Sequence, residues 1–158
     1  MNKEYADFLR DEKYGDRCVP YTDYTASRKF FIGVVVAVDG VDYFAPISSN
    51  KNSSPASFYI IENDRVIATV RMNFMFPVVH GVYKPLDISS LKSTKYRRLV
   101  DYEYRFCNKH REKIRALAEF VYRHRAQRNE KIGDCYIVNF KKLEKRSLMW
   151  AKKSKPVV

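Results

Sequence analysis

"RKFFIGVVVAVDGVDYFAPI", residues 28–47, decides how the rest of the chain is read. Phe30 to Val38 is β-branched and aromatic, Asp39-Gly40 interrupts the run, and Val41 to Ile47 resumes it. An Asp-Gly pair between two such runs signals a hairpin, because both residues accept the positive φ that matches strand twist. A turn at 39–40 pairs residues whose numbers sum to 79, which sets Lys29 opposite Asn50 at the open end.

Beyond the return strand, "YFAPISSNKNSS" (residues 43–54) gives way to hydroxyls, amides and one lysine, without histidine, carboxylate or glycine. Such a loop suits an anion, although a plain Ser/Asn turn with a solvated lysine has the same composition. Three more strands are expected: "SFYIIEN" at 57–63, "VIATVRM" at 66–72 and "FMFPVVHGVYKPL" at 74–86, with Asn63-Asp64 turning the first pair. Pro77 marks the last of them as an edge or a bulge.

The period then changes. Leu99, Tyr102, Phe106, Ile114, Leu117, Phe120 and Val121 recur every three or four residues, an amphipathic helix over roughly 95–128 that can divide at Asn108. His110 falls in the gap of that stripe and reads as a half-buried structural residue. Residues 4–13 read as a short helix closed by Gly15, "CYIVNF" as a sixth strand, and Asn139 as the cap of a helix over 140–152. The expected fold class is α+β: a strongly twisted, mainly antiparallel sheet, closing towards a small barrel, with helices inserted late, in one domain spanning 1–158.

A chain of 158 residues with 12 Tyr and 10 Phe can bury a core and is no disordered basic tail. No apolar run approaches the roughly 20 residues of a membrane span, and "MNKEYADFLRDEK" has no signal-like apolar stretch, so the cytoplasm is expected. Cys18, Cys107 and Cys135, like His80, His110 and His124, are scattered; reduced thiols, no metal and no cofactor are expected. The net charge of +12 is unevenly spread. Residues 1–94 hold eleven basic and eleven acidic side chains, 95–131 twelve against five, and 132–158 seven against two. Excess positive charge confined to the C-terminal part points to a polyanion.

The pattern K-x-F-I-G-(V/I)-V, a turn, then Y-x-A-P-(I/L)-(S/T)-S-x-K resembles the ToxN/AbiQ/CptN family of type III toxin–antitoxin endoribonucleases. Here it reads "KFFIGVV" from Lys29 and "YFAPISSNK" from Tyr43. "MNFMFPVV" at 72–79, "YRRL" with Phe106 in the long helix, and "CYIVNFKKLE" extend the likeness from about residue 19 to 150, closest to the CptN branch. The resemblance implies a twisted sheet core related to the barrel-like toxins of the Kid and MazF type. It implies metal-independent RNA cleavage to a 2′,3′-cyclic phosphate and a 5′-hydroxyl, with cellular or phage RNA as substrate. It also implies inhibition by a small repeated RNA that folds as a pseudoknot, is trimmed by the toxin, and joins it in a closed protein–RNA complex.

Cleavage by a 2′-oxygen needs a proton removed, charge stabilised on the phosphorane, and a proton delivered to the leaving oxygen. With no histidine or glutamate at the hairpin's open end, Lys29, Ser48, Ser49 and Lys51 are the expected catalytic residues. Ser48 and Ser49 would position the phosphate and the 2′-oxygen, Lys51 would stabilise the phosphorane, and Lys29 would move a proton or stabilise a second oxygen. A lysine can change its protonation there because nearby cations and desolvation disfavour its charge. Tyr24, Arg28 and Asn50 are expected to touch RNA beside them; Tyr24 fits the family's strand-entry tyrosine only with a one-residue shift. On the long helix Asp101 stands where the family has tyrosine, with Tyr102 adjacent, and an ion pair from Asp101 to Arg97, Arg98 or Arg105 is the ordinary reading.

Lys95, Arg97, Arg98, Arg105, Lys109 and Arg111 flank Tyr102, Tyr104 and Phe106, a pattern in which cations meet phosphates and rings stack on unpaired bases. Leu99 and Phe106 also suit the core. The alternative is a noncatalytic RNA-binding module, which would leave the spacing of Lys29 and "SSNK" without a purpose. A DNA-binding regulator built on "REKIRALAEFVYRHRAQ" lacks a helix-turn-helix upstream.

Overall fold

Asp39 and Gly40 both take positive φ, 51° and 75°, so the turn has the handedness of the strands it joins. It closes the hairpin of β1 (Gly33–Val38) and β2 (Val41–Ser48) in the expected register, from Val38–Val41 to Gly33–Pro46. The Ile47 N–H donates to Ile32 O at 3.0 Å and carries that register one pair further. The structure, a computed structural model, describes residues 1–21, 31–51 and 54–153; Tyr24, Arg28 and Lys29 lie outside the described residues. Position 33 admits only glycine, because a Cβ there would stand 2.3 Å from Ala45 O and 2.6 Å from the Phe44 ring.

Asn63 and Asp64, with φ of 48° and 60°, turn β3 (Ser57–Glu62) into β4 (Arg65–Arg71) as expected. The antiparallel strand order is β1-β2-β4-β3, with β5 (Phe76–Pro77) also beside β2. β2 therefore changes partner along its length. Tyr43 and Phe44 pair with β5, whereas Ile47 and Ser48 pair with Val70 and Thr69 of β4. That change, with a bulge at Ile60/Ile61, curls the sheet into a half-barrel and gives the α+β class its expected form.

Two expected strands are corrected. Of residues 74–86 only Phe76 and Pro77 are strand: Val78 N–H still donates to Asp42 O of β2 at 2.8 Å, and on the side away from β2 the Pro77 carbonyl accepts from Tyr5 O–H at 2.6 Å. "CYIVNF" is not a strand. Val138 N–H donates to Asn73 O and the Asn73 side-chain amide donates to Tyr136 O, both at 3.0 Å, so one amide takes the place of a neighbouring strand.

α1 (Lys3–Arg10) begins at Asn2, whose side chain accepts from Tyr5 N–H, and ends at Asp11, short of the expected residue 13. The long helical stretch divides at His110, half-buried as expected, into α2 (Thr94–Lys109) and α3 (Arg111–Tyr122). α4 (Phe140–Lys153) is capped by Asn139, which accepts from Lys142 N–H at 3.1 Å.

On α2 the expected stripe is one residue out. Val100, Glu103 and Cys107 are buried, while Leu99 is 39% exposed. Tyr102 and Phe106 are half-buried on the flank, where the Phe106 ring lies 6.4 Å from Phe58 of β3 and 4.5 Å from His110. Phe120 is likewise exposed, its ring 4.1 Å from His124. Large apolar residues dominate a periodicity count, but here smaller ones fit the space against the sheet. Tyr5, Leu9, Ile60, Phe76, Val121, Phe140 and Leu143, from α1, the sheet, α3 and α4, share one core.

Candidate active site

Ser48 ends β2 opposite Thr69, and Thr69 stands opposite Tyr59, so the three share one row and one face of the sheet. Thr69 is only 1% exposed, and its hydroxyl donates to Asn50 O at 2.9 Å. Asn50 N–H donates to Ser48 Oγ at 3.1 Å, tightening the turn as the chain leaves the strand. Further on, Ser54 N–H donates to Tyr59 Oη at 3.0 Å. The row beneath thus holds the loop on both sides of its exposed part. Ser48 is half-buried, whereas Ser49, Asn50 and Lys51 are exposed.

Ser48 Oγ accepts from the turn, which leaves its O–H available as a donor. Two hydroxyls and an ammonium group therefore stand within four consecutive residues at the rim of the sheet, a donor set suited to a phosphate. Thr69 and Tyr59 were missed as supports of this loop. A threonine inside the apolar run "VIATVRM" was the available signal, since a buried hydroxyl requires a partner.

The basic residues of α2 lie elsewhere. Phe58 neighbours Tyr59 in β3 and points to the opposite face, and it is Phe58 that meets Phe106 of α2. Tyr102 O–H donates to Ile61 O at 2.5 Å and its ring stacks 6.0 Å from Phe106. Lys95, Arg98, Leu99 and Tyr102 line a cleft of about 590 Å³ whose other wall includes Glu62, next to the β3–β4 turn. Arg97 reaches Ser89 O at 3.5 Å, Arg105 pairs with Asp101 at 2.9 Å, and Lys109 is exposed. The Asp101 pair is one of the three expected.

Cys18, Cys107 and Cys135 are free thiols. Among the described residues no group of three His, Cys, Asp or Glu side chains is placed to hold a metal ion, and no helix is long and apolar enough to cross a membrane.

Residues 1–147 match the family of toxin ToxN of type III toxin–antitoxin systems. The chain is 25% identical over 157 residues to the endoribonuclease ToxN of Pectobacterium atrosepticum, covering 92% of this chain and 88% of that protein. Its fold resembles a solved type III toxin described as selectively inhibited by a non-coding RNA pseudoknot, with TM-score 0.77, 23% identity, and 98% and 96% of the two chains covered. It also resembles AbiQ, described as a lactococcal anti-phage endoribonuclease of the type III class, with TM-score 0.76, 21% identity, and 96% and 95% covered.

Proposed function

Because the chain belongs to the ToxN family of type III toxin–antitoxin systems and is an endoribonuclease of that kind, we infer how its own residues cut RNA. The scissile phosphate lies over the loop that follows β2. The hydroxyls of Ser48 and Ser49 hold the phosphate and the 2′-oxygen, and Lys51 stabilises the charge that gathers on the phosphorane. Lys29, which lies outside the described residues, moves a proton or stabilises a second oxygen. The 2′-oxygen attacks phosphorus and the bond to O5′ breaks. The proton lost by the 2′-hydroxyl is balanced by the one gained at O5′, leaving a 2′,3′-cyclic phosphate and a 5′-hydroxyl. No metal takes part in this scheme.

What supports the reading is the build of the loop. Buried Thr69 fixes Asn50 while Ser49 and Lys51 remain exposed, so the donors are held by the sheet and still open to a strand of RNA. Tyr24, Arg28 and Asn50 grip RNA near the cut. Lys95, Arg97, Arg98, Arg105 and Lys109 neutralise phosphates further along, with Tyr102 and Phe106 giving ring edges from the flank of α2. The chain works as one domain in the cytoplasm. Its partner is a small repeat-encoded RNA that folds as a pseudoknot, blocks it and assembles with it into a closed complex. Cellular or phage RNA is its target.

Expression in a host without the inhibitory RNA tests this directly. The intact chain should arrest growth, and Ser49→Ala or Lys51→Ala should relieve the arrest at equal soluble yield. Undiminished arrest in both variants would remove them from the site.

A further inference from the structure

A second cleft, of about 750 Å³, opens between the open end of the β1–β2 hairpin, the segment 83–89 and α2. It begins beside the catalytic loop, because the hairpin register, carried past Ile32 and Ile47, sets Phe31 of its wall across from Ser48. Phe31, Phe44 and Tyr83 supply aromatic surface, and Tyr104, 58% exposed, stands at the rim. In this mainly apolar lining lies Glu103, only 5% exposed. Among the described residues Glu103 has no hydrogen bond and no ion pair, and burial alone pushes its carboxyl up to about 7.

A carboxyl set in an apolar wall with no partner among the described residues is held there at some cost, its oxygens opening only to the cleft. The cost is recovered when something with N–H donors enters the cleft. A phosphate would serve poorly, since its charge repels the ionised carboxyl and the protonated one offers it a single O–H. A nucleobase would: it is flat, stacks on aromatic faces, and presents N–H groups at its edge. The volume is within the range of small-ligand pockets and ample for one base. Phe31, set across the hairpin from Ser48 by the register, brings such a base beside the bond being cut.

We propose that this cleft takes one nucleobase flanking the scissile phosphate, and that Glu103 accepts hydrogen bonds from its amino or ring N–H edge. Adenine, cytosine and guanine offer an exocyclic amino group. Uracil offers a single N–H between two carbonyl oxygens, which the ionised carboxyl repels. The cleft is then a specificity site favouring amino-bearing bases over uracil at one position next to the cut. This rests on the catalytic reading given above and adds to it a determinant of sequence choice.

The test uses the full-length protein and an RNA library randomised around the cut, with the ends of the products sequenced. The intact chain should select amino-bearing bases over uracil at one adjacent position by about tenfold or more, the factor expected of one well-made base contact. Glu103→Gln keeps the shape, but its amide can donate to a uracil carbonyl and accept from N3–H, so the preference at that position alone should collapse or turn towards uracil. Tyr104→Ala, at the exposed rim, should weaken the same preference and raise KM for the favoured sequence without altering the melting temperature. An unchanged base distribution in both variants would overturn the proposal and leave the cleft to another occupant, such as a peptide beside β1. Cleavage by the intact chain with no base preference near the cut would also overturn it while leaving the endoribonuclease mechanism standing. Absence of any cleavage would overturn the mechanism and this proposal together.

Discussion

Near its turn the β1–β2 hairpin is tied to α3 and α4 by a closed set of polar contacts. Tyr43 and Tyr122 both donate to Glu144 Oε1, at 2.6 and 2.7 Å, and Lys141 reaches Tyr122 Oη at 2.5 Å and Glu144 Oε2 at 3.1 Å. The Tyr122 hydroxyl also lies 3.4 Å from Asp39 Oδ2 in the turn itself. At its open end the same hairpin carries exposed Ser49 and Lys51, and the adjoining cleft holds a carboxyl without a partner. The two glutamates register the difference. Burial alone drives Glu103 up to about 7. At Glu144 burial also acts upwards, but hydrogen bonds from Tyr43, Tyr122 and Lys141 outweigh it and hold the carboxyl below its ordinary value. One end has its polar groups satisfied by the fold; the other has donors and an acceptor left for something else to satisfy.

If that division is right, substitutions at the open end should change chemistry and those at the turn should change stability. The largest effect is expected for Ser49→Ala and Lys51→Ala, each slowing RNA cleavage by about 100-fold or more while thermal melts stay superimposable. A matching fall in melting temperature would show the loop to be structural and would erase the contrast.

Next come the two carboxyls, with opposite signs. The folded chain binds the Glu103 proton more tightly than the unfolded chain does. Its contribution therefore lowers stability as pH rises from about 4.5 to about 7, by about 3 kcal/mol in all. Denaturant melts of Glu103→Gln should lack that decline. Glu144 contributes in the other sense: its stabilisation is present above the ordinary carboxylate pKa and is lost as pH falls through its lowered value. A Glu144→Gln chain should accordingly lose less on acidification than the intact one.

Tyr43→Phe removes one hydrogen bond to a charged acceptor and should cost about 2 kcal/mol in denaturant melts, with RNA cleavage retained where the chain is folded. Loss of cleavage in a folded Tyr43→Phe chain would mean that the turn end takes part in the chemistry. The smallest effect lies outside the hairpin. Reversing charge at Arg97 and Arg98 should weaken RNA binding and make its logarithmic salt slope shallower by about 1.5.

Much of this was legible in the chain. The Asp-Gly turn gave the register, from Val38–Val41 to Gly33–Pro46, because its two residues need positive φ. What was not legible involved groups that act through tertiary neighbours. Asn73 replaces a strand with one side-chain amide, so "CYIVNF" has strand composition without a strand partner. Tyr5 takes the Pro77 carbonyl on the side away from β2, where a further strand would have had to pair. A helix stripe through Leu99, Tyr102 and Phe106 leaves Glu103 off its apolar face. Moved round by one residue, the same period runs Val100, Glu103, Cys107, and the buried carboxyl becomes visible as an exception. Thr69 was hidden in the same way, a hydroxyl taken for part of an apolar strand.

The central claim is that the hydroxyls and amines at the open end of the hairpin break RNA through its own 2′-oxygen. Incubating the purified protein with RNA in EDTA and determining both product ends tests it most directly. Cleavage is expected in the chelator, with 2′,3′-cyclic phosphate on one fragment and 5′-hydroxyl on the other. Intact RNA, or fragments carrying 5′-phosphate, would contradict it.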